Sequence, residues 1–146
     1  ADPMTLVELA IPARPAYLSL VRLIVDSAVS SLAPGFVGAR LDDLKLAVTE
    51  ACSNAIEAHQ AAFEDEAVVI RCQMNDSVVT VEVDDHGGGF DPAAVTAIPQ
   101  ATDPGRLSYE SGLGIPLMRT LADKLTFAPA PNGTTVRLTV YRADPG

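Results

Sequence analysis

Three short runs in this 146-residue chain place side chains and glycines at spacings that suit chemistry. In Glu50-Ala-Cys-Ser-Asn54 a carboxylate and a carboxamide stand one helical turn apart, so both can face the same pocket. An amide oxygen suits a hard cation such as Mg²⁺, and a glutamate can accept a proton. Taken alone, the pair also reads as an ordinary solvated face. In Asp85-His-Gly-Gly-Gly-Phe90 an acid precedes three glycines, whose backbone allows positive φ and close approach of a ligand. Asp85 can accept a hydrogen bond from an exocyclic amine such as adenine offers, although a simple glycine-rich turn has the same composition. Gly112-Leu-Gly114 precedes a periodic apolar stretch, and the free N–H groups of a helix start attract phosphate. A plain loop-to-helix transition would look alike. The order and spacing of the three runs, with Gly133-Thr-Thr135 following, is what joins them.

Such runs need elements to hold them. Thr5 to Ile11 alternates apolar and polar residues and stops at Pro12, which predicts a strand. Pro15 fits the first turn of a helix reaching about Ser31, with Leu20, Leu23, Ile24 and Ala28 turned to the core, and Pro34-Gly35 ends it. Leu44, Ala47, Val48, Ala51 and Ala55 recur at spacings of three and four and predict a second helix from about Leu41 to Ala58. Its neighbouring stripe carries Asp43, Glu50, Asn54 and Glu57.

Ala67–Met74 and Ser77–Asp84 read as a hairpin about Asn75-Asp76, so the glycine run follows directly from its second strand. Residues 91–111, with three prolines and weak periodicity, read as a long loop of the kind that serves as a lid. A helix is expected from Ile115 to Asp123, with Leu117, Met118 and Leu121 inward and Pro116 tolerated in its first turn. Lys124–Ala128 and Thr134–Arg142 form a last hairpin around Pro131-Asn132-Gly133. The order βααββ, lid, αββ predicts an α+β fold, a two-layer sandwich with helices on one face of a mixed, mostly antiparallel sheet.

Composition narrows the function. Hydrophobic residues at 48% and charged residues at 20% match a folded domain rather than a disordered chain, and the length points to one domain. A net charge of -9 lacks the positive field that phosphate backbones and anionic membranes attract. No apolar run reaches the ~18–20 residues of a membrane span and no secretion signal is apparent, so the expected compartment is the cytoplasm. Cys52 and Cys72 lack metal or disulfide spacing and are expected as two reduced, buried thiols. Residues 1–3 read as an expression-tag scar ahead of Met4, which leaves 4–146 as the domain. Arginine exceeds lysine 8 to 2, which points to a GC-rich bacterial genome.

The three runs and their order resemble the GHKL ATPases, the Bergerat-fold superfamily of histidine-kinase catalytic domains, gyrase B and MutL, over nearly the whole chain. Glu50 to His59 resembles the N box, Asp85 to Phe90 the first glycine box, Gly112 to Gly114 the second, and Gly133-Thr-Thr135 the terminal G/T segment. Size and the sequence Leu-Ala-Val-Thr-Glu50-Ala-Cys-Ser-Asn54-Ala are most similar to the anti-sigma factor serine kinases of the RsbW and SpoIIAB type. The resemblance implies that Asn54 coordinates Mg²⁺ on the ATP phosphates, that Glu50 orients or deprotonates the nucleophile, and that Asp85 reads the adenine amine. Gly87 and Gly89 would shape the adenine pocket, Gly112 and Gly114 would bring lid and helix amides to the phosphates, and Thr135 would stand near the adenine with Asp85. Arg106, in the lid, would meet the γ-phosphate. His59 and His86 are expected to be non-catalytic.

The length and the lack of a preceding phospho-accepting histidine helix favour a free-standing unit that acts on a separate protein. The resemblance then implies a cytoplasmic homodimer that sequesters a sigma factor in a stress response. It would phosphorylate a Ser or Thr of a STAS-type antagonist with ATP and Mg²⁺, touching neither nucleic acid nor membrane. The alternative is a nucleotide-binding partner-switch module with little or no turnover.

Overall fold

The computed structural model describes residues 3–61, 66–86, 114–130 and 133–142. Strand β1 (Thr5–Ile11) turns Val7, Leu9 and Ile11 inward, as its alternation predicts. A 3₁₀ turn (Pro15–Tyr17) leads into α1 (Leu18–Leu32), and α2 follows over Gly38–Ala61. Strands β2 (Val68–Met74) and β3 (Val78–Asp85) form the expected hairpin. Its turn is held by Asn75, whose Oδ1 accepts the amides of Ser77 at 2.8 Å and Val78 at 3.0 Å. Helix α3 (Gly114–Leu121) and the hairpin of β4 (Lys124–Ala130) with β5 (Gly133–Tyr141) complete the order.

The five described strands lie in the order β1-β2-β3-β5-β4, and each of the four pairings is antiparallel. Alternation divides the sheet cleanly. Ile70, Met74, Val79, Val81, Val83, Val136, Leu138 and Val140 face the helices and are buried, whereas Glu8, Arg71, Glu82, Arg137 and Tyr141 stand on the opposite, polar face. The helix layer closes over the apolar face with Phe36, Leu44, Val48, Ile56 and Met118. The result is the two-layer sandwich expected of the sequence.

One expectation fails. On α1 the buried stripe is Val21, Val25 and Val29, while Leu23 is 64% exposed and Leu20 is 41% exposed. The helix is apolar on two adjacent stripes, one residue and hence about 100° apart, and periodicity cannot rank them. Packing against the rest of the fold buries the valine stripe, and on its flank Lys45 Nζ of α2 donates to Asp26 Oδ1 at 3.2 Å. The same doubling explains why Pro15–Leu32 reaches a mean hydropathy of 1.2 over 18 residues, long and apolar enough by those measures to span a membrane, contrary to the sequence expectation. Only 17% of that window is buried.

Further tethers fix the remaining pieces around the core. Asp123 Oδ2 accepts the Tyr141 amide at 2.7 Å and pairs with Arg40 of α2 at 3.4 Å, tying the start of β4 to both layers. Cys52 and Cys72 are free and buried, as expected. Burial pushes the Cys72 thiol up to about 11, and burial, with Cys72 nearby, drives Cys52 higher still.

Candidate functional site

Helix α2 delivers the first group of candidate residues. Its core stripe of Leu44, Ala47, Val48, Ala51 and Ala55 is buried, which sets the adjacent stripe of Glu50 and Asn54 at the margin of the core. Asn54 is buried and Glu50 half-buried. The helix extends one turn beyond the sequence estimate because His59, spaced four residues after Ala55, belongs to the core stripe and is fully buried.

Asp85 ends β3 and, like Val79, Val81 and Val83, faces the helix layer, where it is 5% exposed. The link from helix to strand is direct: the backbone N–H of His86 donates to His59 Nε2 at 2.6 Å. With a rise of about 1.5 Å per residue, Asn54 stands roughly 7.5 Å and Glu50 roughly 13.5 Å back along α2 from that anchor. Helix α3 packs against the same helix, and Gly114 is its first residue. The structure therefore places Glu50, Asn54 and Asp85 around the interface of α2 with the sheet, with α3 alongside. Gly87, Gly89, Arg106, Gly112 and the expected lid at 91–111 lie outside the described residues.

Thr135 requires correction. Antiparallel pairing sets Asp84 opposite Thr135 and Asp85 opposite Thr134. Because side chains alternate, Thr135 points to the polar face, where its hydroxyl donates to Asp84 Oδ1 at 2.6 Å, and Arg71 Nη2 holds Asp84 Oδ2 at 2.5 Å. That hydrogen bond from Arg71 to Asp84 is the main reason the guanidinium is held even more firmly charged than usual. The residue beside Asp85 is Thr134, 1% exposed, whose hydroxyl finds no hydrogen-bond partner among the described residues. Sequence reasoning missed it because two threonines stand in tandem, and only the register of β5 against β3 tells them apart.

Gly133 completes the corner. A methyl group there would overlap the Asp85 carbonyl oxygen and come within 2.7 Å of its carbon and 3.0 Å of His86 Cα. Only a glycine lets β5 approach so closely.

The donor chemistry fits a nucleotide with its metal. A buried hydroxyl lacking a partner beside a buried carboxylate suits a ligand that brings its own donors and acceptors. Asn54 and Glu50 offer hard oxygens suited to Mg²⁺. Among the described residues no cluster of three or more His, Cys, Asp or Glu side chains could hold a metal ion by itself. A cation here would have to share the phosphate oxygens of the ligand, which is the usual habit of Mg²⁺.

An antiparallel sheet covered on one face by helices, with a polar site where the longest described helix meets a strand end, defines a two-layer α/β sandwich. The family description "Histidine kinase-like ATPase domain" matches residues 11–140, and the chain belongs to that family. It is 34% identical to the serine-protein kinase RsbW of Bacillus pumilus, over 96% of this chain and 88% of that one. Identity to the serine-protein kinases RsbW of Bacillus subtilis and Listeria monocytogenes is 32% in each case, over 92% of this chain and 84% and 86% of theirs. A crystal structure of RsbU and RsbW domains from Mycobacterium tuberculosis superposes with a TM-score of 0.66 at 18% identity, which supports the fold. The match covers 93% of this chain and 32% of that longer one.

Proposed function

We propose that this protein is an ATP-dependent protein serine/threonine kinase that also acts as an anti-sigma factor. The observation that carries the nucleotide reading is the register that sets Asp85 beside Thr134, under the helix bearing Glu50 and Asn54. Kinship with serine-protein kinases supports a protein hydroxyl as the acceptor.

Asp85 accepts the adenine amine while Thr134 completes the base contact, and Gly87 and Gly89 shape the pocket around them. Asn54 would hold Mg²⁺, while Gly112 and Gly114 would offer backbone amides to the phosphates and Arg106 would meet the γ-phosphate. When bound, Mg²⁺ supplies charge neutralisation across the phosphates. Glu50 accepts the proton of the acceptor seryl or threonyl hydroxyl as its oxygen bonds to the γ-phosphorus and the bond to the ADP oxygen breaks. Most of the rate enhancement then comes from positioning and electrostatics.

The protein substrate is a STAS-type antagonist, and the antagonist loses its hold on the kinase once phosphorylated, which frees the kinase to sequester a sigma factor. The working unit is a cytoplasmic homodimer of the domain 4–146, and transcription is controlled through the sigma factor without contact to nucleic acid or membrane. Incubation with labelled ATP, Mg²⁺ and a cognate antagonist is the test. Transfer that Glu50→Ala abolishes is expected. Intact partner binding without any transfer would leave a nucleotide-dependent sequestering module and overturn the kinase.

A further inference from the structure

We propose that His59 is a positioning residue for the nucleotide pocket, which fixes the peptide between Asp85 and His86 and with it the direction of the Asp85 carboxylate and the entry into the glycine run. The inference rests on the nucleotide reading above. The ladder between β3 and β5 ends where Asp85 pairs with Thr134, so the His86 amide is the first beyond the sheet. A buried N–H without an acceptor is costly, and here the acceptor comes from the helix layer: His59 Nε2 at 2.6 Å.

The carbonyl and amide of a trans peptide point in opposite directions. On the carbonyl side, β5 closes in so tightly that only Gly133 fits. On the amide side stands His59, whose ring is 0% exposed and has no water to exchange for this bond. The peptide is thus gripped from both sides, and Asp85 is the residue directly before it. A nitrogen that accepts this bond carries no proton, so the ring acts as the neutral tautomer protonated at Nδ1. Nδ1 finds no hydrogen-bond partner among the described residues, which leaves Nε2 as the one polar hold of the ring. The His86 ring packs edge-on at 5.9 Å and its Nε2 lies 3.5 Å from Glu66 Oε2, which braces the same corner from outside.

The test compares the full-length wild type with His59→Leu, His59→Asn and His59→Gln by calorimetric titration with ATP and Mg²⁺ and by amide exchange at His86. Glutamine reaches the position of Nε2 with an acceptor oxygen, asparagine stops one bond short, and leucine offers none. His59→Leu and His59→Asn are expected to bind ATP about tenfold more weakly and to lose protection at His86 to a similar degree. His59→Gln recovers most of both, and the KM for ATP rises in the deficient variants more than kcat falls.

Equal affinity and protection in all four proteins, or His59→Gln no better than His59→Asn, would overturn the role of His59. A wild type that binds no ATP would instead bring down the nucleotide reading and this inference with it. Should His59→Leu fail to fold, the asparagine and glutamine pair and the wild-type His86 amide still decide, because an unprotected amide there refutes the clamp.

Discussion

Replacing Gly133 by alanine probes the tightest contact of the candidate site. The added methyl overlaps the Asp85 carbonyl, and relief demands a backbone shift of more than about 1 Å to restore ordinary contact. Two routes exist. Moving the peptide that follows Asp85 stretches the 2.6 Å bond to His59 and strands a part-buried amide, which costs about 1–3 kcal/mol. Peeling the first residues of β5 away loses the terminal rungs of the ladder at a similar cost, and overpacking strain adds to either route. Either route with its strain gives about 2–6 kcal/mol, or a fall in Tm of roughly 4–24 °C for a chain of this size.

Two other glycines serve as controls. At Gly38, φ is +58° with open space around it, so alanine there costs only left-handed strain, about 1–2 kcal/mol. At Gly35 the methyl meets only the Arg142 side chain, 2.5 Å from Cδ, which can swing aside, so the change stays within about 0.5 kcal/mol. Urea unfolding followed by circular dichroism ranks the three, with Gly133→Ala worst and also impaired in ATP binding. Stability of Gly133→Ala within about 0.5 kcal/mol of the wild type would refute the reasoning.

Thr134→Val is expected to weaken ATP binding about tenfold with little effect on stability, because its hydroxyl has no hydrogen-bond partner among the described residues, whereas Thr135→Val costs about 0.5–1.5 kcal/mol through the lost bond to Asp84 and leaves ATP binding intact. Calorimetry and denaturation on the two variants separate these outcomes. Val25→Ala in the core of α1 costs about 2 kcal/mol, while Leu23→Ala on its surface stays within about 0.5 kcal/mol, which denaturant midpoints will show. Both thiols resist alkylation at neutral pH until the protein unfolds. The Cys72 value in the fold, about 11, lies above the ordinary 9.0, so the stability it contributes is complete below pH 9 and is lost as pH rises towards 11, at about 1.4 kcal/mol per unit. Chelation of Mg²⁺ is expected to weaken ATP binding at least about tenfold, since the Glu50 carboxylate and the phosphates would then repel with no cation between them; titration in excess chelator with unchanged affinity would contradict this.

Most of the scaffold was legible because its elements announce themselves locally. Thr5–Ile11 alternates strictly and ends at a proline; the second strand differs from expectation by one residue at its start, and the third is shifted by one residue at both ends. The start of α2 at Gly38 and its continuation to Ala61 were hidden, because the first depends on a positive φ and the second on a histidine serving as a core residue. The buried face of α1 was misjudged for a tertiary reason. Valine and leucine stripes compete at equal periodicity, and only packing against the other elements chooses between them. Glu50, Asn54 and Asp85 were readable by type and spacing, whereas Thr134 and the contact between His59 and His86 depend on pairing across the molecule, which spacing along the chain does not contain.

The tandem repeats make that pairing consequential. Asp84-Asp85 on β3 faces Thr134-Thr135 on β5, so each side of the sheet receives one acid and one hydroxyl. Chemically the two pairs are alike, and their surroundings give them different work. Arg71 and Thr135 occupy both oxygens of Asp84 on the polar face, which makes that pair a structural cross-tie. On the helix side, Asp85 lies beside a hydroxyl with no hydrogen-bond partner among the described residues, next to a peptide held by Gly133 and His59. A slip of one residue along β3 would exchange the two acids, but it would also turn Val79, Val81 and Val83 out of the core. The hydrophobic alternation that builds the sheet is therefore also what selects which aspartate and which threonine face the helix layer.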